Sequence, residues 1–278
     1  MVWPRQAGGR LAGKAASGGQ SSPSSAAGER PFIARAAVPA AFVAVLALVA
    51  YSLNWELVRS LEPEVVWEYR VALLEGLLLT LLITAIATAF GLMLGTILAI
   101  MSQSPVAPLR WIVVAYVEVW RNTPLLVQLI WIHFALPILT GVTTTAFESG
   151  VLTMTLQSSA YFTEIVRAGI EAVPKGQWEA AHALGLPVRT RWGRIVLPQA
   201  GRLMIPPLAN LGISYFKATA VLSILSISEL MTVATRVSNV TFKPIEPLTA
   251  VAVIYFVLGY AMSRGTFRLE RVLSAGRR

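Results

Sequence analysis

Charged side chains inside apolar segments are the first candidates for chemistry in this 278-residue sequence. Glu118 and Arg121 lie three residues apart, which places them on one helix face where they can pair. Pro124 follows, and because proline has no N–H it disturbs the preceding turn and frees backbone carbonyls near the pair. The arrangement predicts either a broken helix that lines a polar path or a structural ion pair near the membrane boundary.

A second charged pair, Glu164 and Arg167, repeats this spacing at the end of another apolar segment. We expect it to have a structural role and to brace the loop that follows. Gln157, Ser158 and Tyr161 precede the pair and carry hydrogen-bonding groups without charge. Such groups either contact a polar solute or join helices, the commoner use of Ser and Gln in membranes.

The remaining candidates for a polar path lie in two other apolar segments. Gln128 follows Pro124, while Asn210, Ser214 and Lys217 fall within about two turns of a later segment. A lysine within a bilayer is costly, so it snorkels to the interface, pairs with a carboxylate or faces the path. These residues complete the predicted polar path.

Several kinds of chemistry are excluded by composition. The chain has no Cys, two His and 14 acidic residues that are all Glu. Thiolate metal sites, aspartyl phosphorylation and most metal-hydrolase sites are therefore absent, and we predict no metal site. The sequence also lacks a G-x-x-x-x-G-K-[ST] phosphate loop, an HExxH motif and a Ser/His/Asp set, so an intramembrane enzyme is disfavoured and no cofactor is predicted for this chain.

The overall composition is that of a polytopic helical membrane protein. Hydrophobic residues make up 55% and charged residues 13%, against about 25% charged residues in soluble domains. We predict an all-α fold with about six spans, near residues 36–53, 76–101, 111–139, 151–170, 204–231 and 248–262. Residues 1–30 are expected to be a disordered tail. Residues 32–54 are expected to be an uncleaved N-terminal span, with a signal peptide as the alternative.

The positive charges indicate the orientation. Most of the 23 Lys and Arg residues lie in the N-terminal tail, in the loop 171–203 and in the basic C-terminal tail 266–278. By the positive-inside rule, both termini and that loop are predicted to lie on the cytoplasmic side of the membrane. In the second span, Gly91 and Gly95 form a small-xxx-small pair that either admits a neighbouring helix closely or is tolerated without a partner.

The loop 171–203 contains a predicted docking element. Residues 177–186 are a short helix-forming run ended by Gly185 and Pro187, and the small Ala180 and Ala181 let a partner approach its backbone. A basic cluster follows, which would hold the loop near anionic lipid or an acidic protein surface. The run is either a docking helix or an interfacial helix without a partner.

The same loop resembles the EAA signature of the permease subunits of bacterial ABC importers. Every signature position is matched at the right spacing, by Glu179, Ala180, Ala181, Gly185, Ile195, Leu197 and Pro198. Residues 75–81, 116–128 and 160–170 resemble the polar amino-acid uptake branch, which includes histidine, glutamine, arginine and opine permeases. The resemblance departs from the family's usual K-D-[ST]-S stretch at Ala218 and Ala220.

The resemblance implies a type I ABC importer permease fold over residues 73–265, with a family core of five spans and one extra N-terminal span. It implies a non-enzymatic subunit that forms the path for a polar amino acid or related zwitterion by alternating access. The loop would form the coupling helix that docks on a cytoplasmic ATPase dimer. That dimer would hold ATP and Mg. The other implied partners are a solute-binding protein, a second permease subunit and membrane lipid, without nucleic acid. The alternative is a stand-alone channel or secondary carrier.

Overall fold

The computed structural model describes residues 39, 41–45, 47, 48 and 50–275, with side chains as far as residue 273. The predicted tail 1–30 lies outside the described residues. Chain contacts divide the protein into two units, Met1–Ser60 and Leu61–Arg278. In the first unit, the described residues between 41 and 52 are helical, the predicted N-terminal span stays a prediction, and helix α1 follows at Trp55–Arg59. Asn54 caps α1 by accepting a hydrogen bond from the backbone N–H of Leu57.

The second unit is helical throughout its regular elements, and no strand occurs among the described residues. Its helices are α2 Glu64–Glu68, α3 Arg70–Ser102, α4 Ala107–Asn122, α5 Leu125–Ile130, α6 Leu136–Thr140, α7 Ala146–Glu171, α8 Lys175–Ala183, α9 Val188–Thr190, α10 Leu197–Ala218, α11 Leu230–Thr241 and α12 Ile245–Ala275. Short π-helical turns join α5 to α6 and α9 to α10, and a 3₁₀ segment, Thr219–Leu225, extends α10.

Three continuous helical stretches among the described residues are long and apolar enough to cross a membrane. They are Arg70–Ser102, Val188–Leu225 and Ile245–Leu273. A fourth span is possible if the bent pair Ala107–Asn122 and Leu125–Thr140 counts as one. Helix α7 is more polar but has 26 residues, about 39 Å at 1.5 Å per residue. The predicted helical membrane fold is therefore observed, while the total of six spans is not confirmed.

The end predicted for the fifth span is wrong. The helical stretch begins at Val188, within the segment predicted to be a loop, and ends at Leu225 instead of near Met231. Ser226 has a φ of 56° in the left-handed region, and the chain then turns into α11. Similarly, α12 runs to Ala275, so most of the predicted C-terminal tail is helical.

The close approach of α3 and α7 confirms the prediction that Gly91 and Gly95 admit a neighbouring helix. A Cβ atom built at Gly91 would lie 2.0 Å from Ser158 Oγ, and one at Gly95 would lie 2.7 Å from the Ser159 carbonyl oxygen. Ser158 Oγ also donates a 2.9 Å hydrogen bond to the Ala87 carbonyl of α3. Small residues thus allow the two helices to pack closely, and a serine hydroxyl of α7 bonds to the backbone of α3.

Candidate coupling helix and polar path

Helix α8 is attached to the rest of the protein through one face. Trp178 makes an edge-to-face contact with Trp192, with ring centroids 5.3 Å apart, and both rings pack on an apolar cluster that includes Val196. Ala181, on this inner side, is only 1% exposed. Glu179 is exposed, so α8 presents a signature carboxylate to the outside while its other face is anchored.

Gly185 is required by the backbone at the end of α8. Its φ is +64°, a conformation that residues with a side chain rarely adopt. The N–H of Leu186 donates to the Ala181 carbonyl at 3.1 Å, and the N–H of Gly185 donates to the His182 carbonyl at 2.9 Å. These two bonds form a Schellman motif, which reverses the chain directly after the helix.

The basic residue Arg191 secures this turn. Its Nη1 donates to His182 Nε2 at 2.7 Å, and its Nη2 donates to the Leu186 carbonyl at 3.3 Å. His182 therefore contacts the basic residue that follows the turn. Two cationic groups of the loop remain exposed beside the turn, those of Arg189 and Arg194.

The last signature residues lie where the loop becomes a membrane helix. Ile195 is half-buried, while Leu197 and Pro198 are exposed at the start of α10. Pro198 has no N–H to donate, and the turn before it, Arg191–Val196, is π-helical. Residues of the signature therefore lie in two places, on α8 and in the first turn of α10.

The predicted break at Pro124 is confirmed. Helix α4 ends at Asn122, Thr123 is extended with φ −101° and ψ 133°, and the next helical stretch leaves at an angle of 107°. An extended residue before proline is expected, because the proline ring disfavours the helical conformation there. The break leaves several carbonyls without helical partners.

Candidate path residues take up these freed carbonyls. Gln128 Nε2 donates to the carbonyls of Trp120 at 2.9 Å and Thr123 at 3.1 Å. Tyr161 donates to the Arg121 carbonyl at 3.3 Å. The structure thus brings Gln128 and Tyr161 together around the bend, where Gln128 Oε1 is buried and has no partner among the described residues.

Gln157 connects the bend to α10. Its Nε2 donates to the Thr123 carbonyl at 3.4 Å, and its Oε1 accepts a 3.2 Å hydrogen bond from Tyr215. Ser158 is fully buried between α3 and α7, so it joins helices within this chain. Both Gln157 and Ser158 thus join helices among the described residues, and contact with a solute stays a prediction.

The predicted pairing of Glu118 with Arg121 is not formed. Glu118 Oε2 accepts a 2.6 Å hydrogen bond from Asn122 instead, while Arg121 Nη1 lies 3.6 Å from Glu164 Oε2 on α7. The predicted pair of Glu164 and Arg167 is present, with Nη2 and Oε2 2.7 Å apart, and Arg167 also contacts Glu171. The three-residue spacing permits an ion pair in both segments. In the segment of Glu118, however, Arg121 contacts Glu164 on the neighbouring helix instead.

The remaining candidate path residues lie on α10. Asn210, Ser214 and Lys217 are all exposed, and their spacing of four and three residues places them on one face of the helix. Ser214 Oγ bonds back to the Asn210 carbonyl, whereas the Lys217 side chain has no hydrogen-bond or ion-pair partner in the described part of the chain. A membrane-length helix thus carries a polar face that the described part of the chain does not cover.

The part of the sequence that contains α8 and the broken span matches a known protein family. The family described as binding-protein-dependent transport system inner membrane component matches residues 91–274. The chain belongs to this family. It is a multi-pass membrane permease subunit, and the comparisons favour this prediction over a stand-alone channel or carrier.

Individual relatives and solved structures agree with this family. The permease is 38% identical over 186 residues to the arginine transport system permease protein ArtQ of Bacillus subtilis, covering 67% of this chain and 85% of ArtQ. It is 39% identical over 184 residues to the L-cystine transport system permease protein TcyB of the same organism, covering 66% and 78%. A crystal structure of an amino acid ABC transporter with histidines matches with a TM-score of 0.73 and 34% identity, over 76% of this chain and 99% of that chain.

A more distant structure supports the fold alone. An inward-facing MetNI methionine ABC transporter chain matches with a TM-score of 0.64 and 19% identity, over 74% of the permease and 98% of that chain. Together with the closer structural match, it confirms the predicted type I ABC permease fold.

Glu229 is a buried residue of the permease that the sequence analysis missed. Its carboxylate is 0% exposed and caps α11, accepting hydrogen bonds from the backbone N–H groups of Met231 at 2.9 Å and Thr232 at 2.7 Å. Tyr255 on α12 donates to the same carboxylate at 3.3 Å. An acidic residue directly before a helical run is typical of an N-cap, and this pattern could have indicated the role of Glu229. The predicted fifth span instead places Glu229 in its interior.

Proposed function

We propose that the permease forms half of the translocation path of an ATP-driven importer of polar amino acids or related small zwitterions. ATP and Mg belong to an ABC ATPase dimer on the cytoplasmic side, and a solute-binding protein delivers the solute outside. Both termini of the permease are cytoplasmic in this proposal. Alternating access arises because the ATPase and the loaded binding protein each prefer one of two conformations.

The observation that carries the proposal is the geometry of α8. Its inner face is fastened by Trp178 against Trp192, while Glu179 on its other side is exposed. A helix anchored in this way moves together with the base of α10 when a partner pushes on it. This supports α8 as the contact that transmits ATPase closure to the membrane helices.

The polar face of α10 supports pairing with a second permease subunit, either a copy or a sister chain. Asn210, Ser214 and Lys217 are exposed on a helical stretch that is long and apolar enough to cross a membrane, where an uncovered charge is costly. A facing subunit that leaves water between the two chains would keep Lys217 hydrated. The amino-acid class is supported by the names of the relatives, which specify arginine and L-cystine transport.

Co-purification tests the docking role of α8. The variant Glu179→Arg reverses the charge of the exposed face without touching the buried contacts of Trp178. It is expected to reduce the amount of ABC ATPase that co-purifies with the membrane-inserted permease several-fold. Glu68→Arg, a change at an exposed carboxylate far from the loop in sequence, serves as the matched control. Equal ATPase recovery from both variants would remove α8 from the proposed docking surface.

A further inference from the structure

A second polar site lies away from the bend at Pro124, between α3 and α11. A cavity of about 450 Å³ opens there, in the size range of small-molecule sites. Glu75 contributes from α3, while Ser228 and Arg236 contribute from the connection to α11 and from α11 itself. The apolar part of its wall includes Leu79 and Val233. None of these residues belongs to the predicted path.

The two charged groups of this cavity are not paired with each other. No ion pair within 4.0 Å joins Glu75 to Arg236, and Glu75 makes no hydrogen bond among the described residues. Arg236 donates one hydrogen bond, from Nη2 to Ser228 Oγ at 3.3 Å. The guanidinium has five N–H donors, so most of its hydrogen-bonding capacity is unused. The cavity therefore presents a free carboxylate and a largely free guanidinium on opposite helices.

Helix α3 and the start of α11 are in close contact beside the cavity. A Cβ at Gly76 would lie 3.1 Å from the Leu230 Cα, so α3 and the start of α11 are already in close contact beside the cavity. Leu230 N–H also donates to Thr80 Oγ1 at 3.1 Å, which fixes the register of the two helices. The two helices are therefore already in contact beside the cavity, and both charged side chains line it without an ion pair between them.

We propose that this cavity binds the ammonium and carboxylate of a free α-amino acid before the solute reaches the bend. The ammonium lies against Glu75, and the carboxylate is bound by Arg236 with the geometry that guanidinium groups favour. The apolar wall leaves room for a side chain of variable size. The site lies near the beginning of α3, where Glu75 precedes by eight residues Ile83, a member of the buried apolar cluster that includes Leu129 just past the bend. This inference rests on the proposed function, because it gives the importer an entry site for its solute.

Binding measured on the assembled permease–ATPase complex in lipid nanodiscs tests the site. The probes are L-arginine and L-arginine amide, which carry the same side chain and ammonium but differ in the carboxylate. Wild-type complex is expected to bind the amino acid about tenfold more tightly than the amide, the effect of one charge-assisted contact. Arg236→Gln is expected to remove this discrimination, and Glu75→Gln is expected to weaken both probes about tenfold while preserving it.

The controls are Arg70→Gln and Glu68→Gln, which make the same charge changes at exposed positions outside the cavity. Both are expected to bind as wild type does. If Arg236→Gln still discriminates between the probes, or if the cavity variants and controls weaken binding equally, the site is wrong. Equal thermal destabilisation by Glu75→Gln and Arg236→Gln without any change in probe binding would identify a structural charge pair and also overturn the proposal.

The same complex separates this inference from the proposed function. ATP-driven uptake by wild type together with unchanged probe affinities in the cavity variants rejects the entry site and leaves the importer intact. Absence of ATP-dependent uptake by wild type rejects the importer, whatever the binding data show.

Discussion

The side chain of Arg121, at the end of α4, contacts Glu164 on α7, with Nη1 3.6 Å from Oε2. The same carboxylate binds Arg167 at 2.7 Å, so Glu164 is shared by two guanidinium groups. This connection ties the broken span to the helix that leads into the coupling loop. A displacement of α8 can therefore reach the bend at Pro124 through α7.

Removing the shared carboxylate tests this connection. Glu164→Gln leaves two guanidinium groups without their common partner and is expected to destabilise the permease by about 1 kcal/mol, the upper end for partly exposed pairs. Glu171→Gln removes only a peripheral contact of Arg167 and is expected to cost less. Thermal unfolding midpoints in one detergent compare the two variants. A larger loss in Glu171→Gln would contradict the central position of Glu164.

The close contact of α3 and α7 predicts strong effects of small substitutions. Gly95→Ala places a methyl group 2.7 Å from a backbone oxygen of α7, so the helices must separate, at a cost of about 1–3 kcal/mol. Gly201→Ala introduces the same methyl group where nothing lies within 4 Å. Thermal stability and membrane yield are expected to fall in the first variant and to remain unchanged in the second.

At the turn after α8, we expect substitution of Gly185 to act through backbone conformation and not through a steric clash. No atom lies within 4 Å of a Cβ at Gly185, but its φ of +64° makes Gly185→Ala unfavourable by about 1 kcal/mol. Asparagine tolerates this conformation better, so Gly185→Asn is expected to retain more ATPase coupling than Gly185→Ala. Transport-linked ATP hydrolysis is the measurement, and Gly176→Ala, with open space and ordinary φ, is the control. Equal activity in all three variants would contradict the role of the turn.

The exposed polar face of α10 predicts a requirement for charge at Lys217. Lys217→Met is expected to lower the initial rate of solute uptake by about tenfold, because losing one charge-assisted contact in the path has this magnitude. Assembly of the transporter is expected to remain unchanged. Lys217→Arg keeps the charge and is expected to retain most of the rate. Uptake that is insensitive to both changes would place Lys217 outside the path.

The break at Pro124 shows what the sequence could and could not predict in this fold. The missing N–H and the restraint on Thr123 are local, so the break itself follows from residue types alone. The angle of 107° and the assignment of the freed carbonyls to Gln128, Gln157 and Tyr161 depend on how α7 packs against the bend. Such contacts are tertiary and leave no periodic signal in the sequence.

The charged residues illustrate the same limit. The spacing of Glu118 and Arg121 permits a pair within one helix, but Asn122 lies within reach of Glu118 and Glu164 competes for Arg121. Glu229 was missed because an apolar run continued through it, whereas the chain breaks at Ser226 and Glu229 begins a new helix. In contrast, the sequence correctly predicted that the helix ends at Gly185, because a helix end of this kind requires a residue in the left-handed conformation.

The most direct test of the central claim is solute uptake by liposomes that contain the permease, its partner permease and the ABC ATPase, with the loaded binding protein outside. The predicted result is uptake of a polar amino acid that requires ATP, the ATPase and the binding protein together, and that Glu179→Arg reduces. Uptake by the permease alone, at a rate indifferent to ATP, would contradict the account.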